Sequence, residues 1–154
     1  MHRDSLPQTK RRFGGLAGSS DALAIARMAA ETRPLTAIAA TALDAQRLLE
    51  EIAWFAPSLR VFLLPDWETL PWDNFSPHQD LVSERLATLY QIQTGAFDVA
   101  LVPATTALMR LCPPAYLAAY TFFLDQGRLL DLPALRKQLT TAGYSHVTQV
   151  VEPG

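Results

Sequence analysis

Asp66-Trp-Glu-Thr-Leu-Pro-Trp-Asp-Asn-Phe-Ser-Pro-His-Gln-Asp80, followed by Leu81-Val-Ser-Glu-Arg-Leu-Ala-Thr-Leu-Tyr90, is the stretch on which the reading of this chain turns. An apolar run, Arg60-Val-Phe-Leu-Leu64, precedes it and reads as a buried strand. Pro65, Pro71 and Pro77 stiffen the segment from Pro65 to His78 and bar it from a sheet, so it reads as a long loop. Leu81 to Ile92 then reads as a helix, with Leu81, Leu86, Leu89 and Tyr90 near one face, Glu84 and Arg85 outside, and Gly95 as its stop. A loop at the end of a buried strand is where an α/β protein keeps its ligand or partner.

The loop carries Trp67, Trp72 and Phe75, together with the carboxylates Asp66, Glu68, Asp73 and Asp80. Four carboxylates invite a metal or acid–base reading. They lack regular ligand spacing, so the expectation is that Asp80 caps the following helix and the others are solvated or bonded to backbone. The aromatics divide between pinning the loop and facing a partner, and the sequence does not say which does which.

Outward from this stretch, two further apolar runs read as strands, Leu35 to Ala40 and Phe97 to Pro103. Between the first two strands lies a helix from Thr41 to Phe55, with Leu43, Leu48, Leu49, Ile52 and Phe55 near helical spacing and Pro57 as its stop. Strand–helix–strand with long connections predicts an α/β fold with a parallel sheet and a right-handed crossover. Ala104 to Leu111 reads as a short helix whose Thr105 and Thr106 are caps or remnants of an active-site motif. Neither has a base or nucleophile pair nearby.

Nearer the start, Gly14-Gly15-Leu16-Ala17-Gly18-Ser19-Ser20-Asp21 opens onto an alanine-rich helix, the geometry of a phosphate cradle. A working phosphate loop reads G-x-x-x-x-G-K-[ST]. From Gly15, this chain has Gly18 inside the loop, Ser20 for the second glycine, Asp21 for the lysine and Ala22 for the hydroxyl residue. A carboxylate in place of the ammonium repels a triphosphate, and the Mg²⁺-binding hydroxyl is gone. Asp21 and its serine neighbours are therefore expected to cap the helix, and no nucleotide cofactor is expected.

Residues 1–12 read as a flexible polar arm, including the basic Lys10-Arg11-Arg12. Cys112-Pro113-Pro114 breaks the chain and divides it into domains over 13–114 and 115–154. The second part predicts a turn of helix at Ala115 to Ala118, a strand at Tyr120 to Leu124 and a turn at Asp125 to Gly127. A helix from Leu132 to Ala142 follows, capped by Asp131, and then a strand at His146 to Val151. This is too little to close a core, so the chain is expected to be a piece of a longer protein.

Composition narrows the function. Hydrophobic residues make up 49% and charged residues 18% of the 154, and the formal net charge is -2. A full core is possible, and a phosphate-gripping DNA binder would be basic. One cysteine excludes an internal disulfide and fits a reducing, cytoplasmic setting. His2, His78 and His146 sit in unrelated segments without metal-site spacing.

The central stretch resembles a family signature, D-W-E-T-L-P-Y-D-x-F-S-P-H-x-D followed by x-R-L-x-x-L-Y. It is that of the N-terminal, UvrB-homology module of the bacterial transcription-repair coupling factor (Mfd). Asp66, Trp67, Glu68, Pro71, Phe75, Pro77, His78, Asp80 and Arg85 match, and Trp72 replaces the tyrosine. Val102-Pro103, Cys112-Pro113, Leu135-Arg136, Ala142-Gly143-Tyr144 and Val150 to Gly154 also resemble the family, so the likeness spans residues 13–154.

The resemblance implies a degenerate RecA-like domain followed by an incomplete domain similar to the UvrA-docking part of UvrB. Its phosphate loop is degenerate, and Pro77 leads so quickly into the helix that no DNA-clamping hairpin fits. It further implies a non-catalytic module that recruits UvrA in nucleotide excision repair and restrains the parent motor. ATP, Mg²⁺, RNA polymerase and DNA are engaged elsewhere in such a protein. The family's docking face depends on strands and an Arg-Gly turn beyond Gly154. Two rival readings stand beside this one: a nucleotide-hydrolysing domain, which needs a basic residue brought to Asp21 from elsewhere, and a weak DNA-binding module.

Overall fold

A computed structural model describes residues 12–67, 69, 72, 74–120, 126–127, 129–141 and 144–147. Three parallel strands, β1 (Leu35–Ala39), β2 (Val61–Leu63) and β3 (Val99–Pro103), form one sheet in the order β1-β3-β2. Leu35 and Val61 both lie opposite Val99, and Ala39 lies opposite Pro103. The central strand is buried along its whole length, which is why Val-Ala-Leu-Val-Pro carries no polar residue. The α/β class and the parallel pairing agree with the sequence reading.

Two helices cover one face of the sheet, α1 (Ser20–Glu31) and α2 (Ala42–Phe55). Ala22, Ala26 and Ala29 of α1, at i, i+4 and i+7, meet Ala45, Leu48 and Ile52 of α2, with Val99 and Leu101 beneath. Alanine on this stripe lets the helices approach closely. Thr41 caps α2, its hydroxyl accepting the Asp44 N–H at 3.0 Å. Leu43, expected on the buried stripe, is instead exposed, and Ala45 fills its place. The remaining helices are α3 (Gln79–Thr94), α4 (Ala104–Ala107), α5 (Pro114–Tyr120) and α6 (Leu132–Thr141). Helix α5 packs on α3, and the Gln93 side-chain amide donates to the Pro114 carbonyl.

Several boundaries differ from the sequence reading. Helix α3 begins two residues before Leu81, and its cap is His78, whose Nδ1 accepts the Asp80 N–H at 3.3 Å. Asp80 sits inside the first turn, where a carboxylate complements the helix dipole, and it is not the cap. Gly95 does end the helix, in the left-handed conformation glycine adopts at low cost. Helix α4 stops at Ala107 rather than Leu111, and α5 runs to Tyr120, where a strand was expected to start. The rest of that strand and residues 148–151 lie outside the described residues, and His146 and Val147 are irregular. Asp131 caps α6 as expected, accepting the Ala134 N–H at 3.1 Å.

At the amino ends of the strands, Asp98 joins all three. Its backbone carbonyl accepts the Leu35 N–H, and its backbone N–H donates to the Arg60 carbonyl. Its buried carboxylate accepts the Arg60 N–H at 2.8 Å, the Arg60 guanidinium at 3.3 Å and the Arg33 guanidinium at 3.4 Å. The Arg60 side chain, then its backbone N–H and Arg33, hold the Asp98 carboxyl down at about 2. A folded-state pKa below the unfolded value of about 3.9 stabilises the fold above that value. The contribution is lost as pH falls from about 4 towards 2. Asp98→Asn is therefore expected to flatten stability against pH in that interval while lowering it at pH 7. Urea melts at pH 7, 4 and 3 check this, and an unchanged acid slope in the variant would contradict it.

Candidate functional site

The carboxyl ends of β2 and β3 carry the root of the long loop. Strand β2 ends at Leu63, and the Leu64 N–H still bonds to the Leu101 carbonyl at 2.9 Å, so the chain is tethered as it leaves the sheet. Asp66 follows, and Thr106 and Thr105 of α4, which starts where β3 ends, donate their hydroxyls to its two oxygens, Thr106 at 2.8 Å. The Trp67 N–H adds a third bond at 3.0 Å. Burial pushes the Asp66 carboxyl up, but the Thr105 and Thr106 hydroxyls, the Trp67 N–H and the Arg85 charge outweigh it. The group is held below the usual carboxylate range. The two threonines thus do not cap α4; their hydroxyls hold Asp66 at the root of the loop.

Arg85 completes the lock from α3. It is only 3% exposed, its guanidinium donates to the Pro65 carbonyl, and its Cζ lies 4.2 Å from the centroid of the Trp67 ring. Burial lowers its pKa, and the Asp66 charge partly offsets this. The sequence reading placed Arg85 on the outer face of its helix. That placement is wrong because the buried residues of α3 are Arg85 and Thr88, flanked by the half-buried Leu81 and Ile92, while Leu86 is exposed.

This resolves the loop aromatics. Trp67 is half-buried under Arg85 and pins the loop, whereas Trp72 is 77% and Phe75 80% exposed. Pro77 is half-buried, and His78 and Asp80 are exposed at the start of α3. Glu68, Pro71 and Asp73 lie outside the described residues. No group of three or more His, Cys, Asp or Glu suited to a metal ion occurs among the described residues.

In the glycine-rich segment read as a degenerate phosphate loop, the polar side chains bond to other groups of the chain. Gly15 and Gly18 take φ of 72° and 56°, so the loop uses glycine for its turns. The Ser20 hydroxyl donates to the Ala17 carbonyl, and Ser19, at the cap position, makes no side-chain cap bond, contrary to the capping expectation. Asp21 accepts the Ala22 N–H at 2.8 Å and both Nη atoms of Arg47, at 3.2 and 2.7 Å. Arg47 also donates to Glu51, at 2.7 Å. Arg47 holds the Asp21 carboxyl below its usual range, and Asp21 in turn raises the Arg47 pKa. A basic residue does approach Asp21 from elsewhere, as a nucleotide site would require, but two carboxylates engage it. Ala22, where Mg²⁺ would need a hydroxyl, is fully buried. Sequence reasoning missed Arg47 because its i,i+4 spacing to Glu51 resembles any solvated helix pair.

No family model matches the chain. It is 43% identical over 146 residues to the transcription-repair-coupling factor of Escherichia coli (strain K12), covering 94% of this chain and 13% of that protein. The transcription-repair-coupling factor of Haemophilus influenzae (strain ATCC 51907 / DSM 11121 / KW20 / Rd) is 38% identical over 152 residues, covering 96% and 13%. That of Myxococcus xanthus is 31% identical over 153 residues, covering 93% and 13%. The chain thus spans about 13% of the length of these relatives.

Proposed function

The chain belongs, over this segment, to the transcription-repair coupling factor family, and from that membership we propose that it is a non-catalytic protein-binding module. Its partner is UvrA, and its task is to bring the damage-recognition machinery of nucleotide excision repair to stalled transcription. It also helps restrain the motor of its parent protein. RNA polymerase and DNA are reached through the rest of that parent. The supporting observation is the loop: its root is locked by Asp66, Thr105, Thr106 and Arg85, and it holds Trp72 and Phe75 out in solvent. Exposed aromatic side chains offer a large contact area at low conformational-entropy cost on docking, and aromatic residues are enriched among the hot spots of protein interfaces.

The nucleotide reading is weakened by the Asp21–Arg47–Glu51 trio, which leaves a net negative charge where a triphosphate would sit. The test is calorimetric titration of UvrA with the wild-type chain and with Trp72→Ala/Phe75→Ala. Both side chains are exposed, so the double variant is expected to melt like wild type and to bind UvrA at least tenfold more weakly, about 1.4 kcal/mol. Equal binding would move the contact off the loop. No binding by wild type would remove the recruiting role from this segment.

A further inference from the structure

The groups that hold Asp66 are placed by other parts of the fold. Thr105 and Thr106 lie 39 and 40 positions further along the chain and follow directly from the buried central strand. Their backbone carbonyls accept the Leu108 and Met109 N–H groups, so strand and helix fix both residues without help from Asp66. Arg85 is fixed by α3 and by its bond to the Pro65 carbonyl.

The donors match one chemical shape. Thr105 donates to Oδ2 of Asp66, Thr106 donates to Oδ1 at 2.8 Å, and the Trp67 N–H donates to Oδ1 at 3.0 Å. Both oxygens of a planar anion are thus engaged, each by its own hydroxyl. The negative charge of Asp66 offsets the burial of the Arg85 guanidinium, which is only 3% exposed. A neutral amide would present one acceptor oxygen instead of two and no charge to Arg85. The position is open on one side: Thr105 is exposed and Asp66 half-buried, so a small solute can reach it from solvent.

We propose that the carboxyl ends of β2 and β3 carry a binding site for one carboxylate, built by Thr105, Thr106, the Trp67 N–H and the Arg85 charge, and that Asp66 is its tethered ligand. The loop root is then exchangeable. A carboxylate from another molecule fills the site only when Asp66 leaves it, and its binding frees the loop from its anchor. This holds whether or not the loop meets UvrA.

Asp66→Ala separates ligand from tether, since it removes the carboxylate and leaves the donors. Sodium formate is titrated into this variant at neutral pH, with sodium chloride at matched ionic strength and formamide, the neutral isostere, as controls. A ligand that binds only the folded state raises the unfolding midpoint by mass action. Formate is expected to do so saturably, with half its effect on the order of 10–100 mM, as for a small ligand held by a few polar contacts. Chloride and formamide are expected to give no saturable rise, and wild type, whose site is full, to respond to formate as it does to chloride. Adding Thr105→Val and Thr106→Val to Asp66→Ala is expected to abolish the formate response without further loss of stability, because it removes the orphaned hydroxyls themselves. Should Asp66→Ala be unfolded without additive, the readout is recovery of the helical circular-dichroism signal with formate under the same controls. A formate response no larger than that to chloride or formamide would overturn the inference. So would an equal response of wild type, or one that survives the loss of both hydroxyls.

Discussion

Arg85→Ala is expected to lower the unfolding free energy by about 3–4 kcal/mol, within the range for emptying a buried site and orphaning its partners. Three losses combine. The Pro65 carbonyl loses its donor, the Trp67 ring loses the cation over its face, and Asp66 loses a nearby positive charge. Arg85→Met keeps the packing of the stem and discards the charge, so it is expected to recover part of the loss. A cycle with Trp67→Ala separates packing from cation–π attraction, with a coupling of about 1–2 kcal/mol expected. Trp54 and Trp72 are exposed, so Trp67 is the tryptophan whose emission reports the lock. A red shift in Arg85→Ala should precede global unfolding on heating. Stability within about 0.5 kcal/mol of wild type, the usual outcome for a surface change, would return Arg85 to the outer face of its helix.

The second large effect falls on Asp66→Ala. This change removes the acceptor of two hydroxyls and one backbone N–H, and Thr106 is only 1% exposed, so water does not readily replace the carboxylate. A buried hydroxyl left without its partner costs about 1–3 kcal/mol, and the uncompensated charge of Arg85 adds to it. An expected total of about 3 kcal/mol follows. Asp66→Asn keeps one carbonyl oxygen and is expected to fall between. Because the folded-state pKa of Asp66 is lowered, its ionised form contributes stability above the ordinary carboxylate pKa, and that part is lost as pH falls below it. The wild-type and Asp66→Ala melting curves should therefore converge in acid. Curves that stay parallel down to pH 3 would show that the charge of Asp66 plays no part.

The strands were legible because each is a short, mostly apolar run with a proline or a charged residue on at least one side. Length and burial agree there: Val99 to Pro103 carries no polar atom outside its backbone, and the structure buries all of it. The cap of α6 was legible because Asp131 is a short side chain with an acceptor just before the helix, whereas Thr41, read as the first residue of α2, turned out to be its cap. His78 was not, because imidazole is an uncommon cap and Asp80 two residues later is a commoner one.

The site was harder to read because hydrophobicity and burial part company in α3. An arginine and a threonine occupy the centre of its buried stripe, and an exposed leucine lies beside it. What buries Arg85 is a carbonyl and an indole face 20 and 18 positions earlier in the chain, and no local pattern encodes such a meeting. The available signal was compositional, a single cation at i+4 from Leu81 and i–3 from Thr88 after a loop rich in acids and aromatics. The Arg47–Asp21 pair was hidden for the same reason, its partners lying 26 residues apart on two helices.

One sample titrated twice tests the central claim most directly: UvrA in one calorimeter cell and Mg-ATP in the other. The account predicts saturable heat with UvrA and none with the nucleotide. Saturable binding of Mg-ATP, lost in Arg47→Ala and accompanied by no response to UvrA, would contradict it and make the trio at Asp21 a working phosphate site.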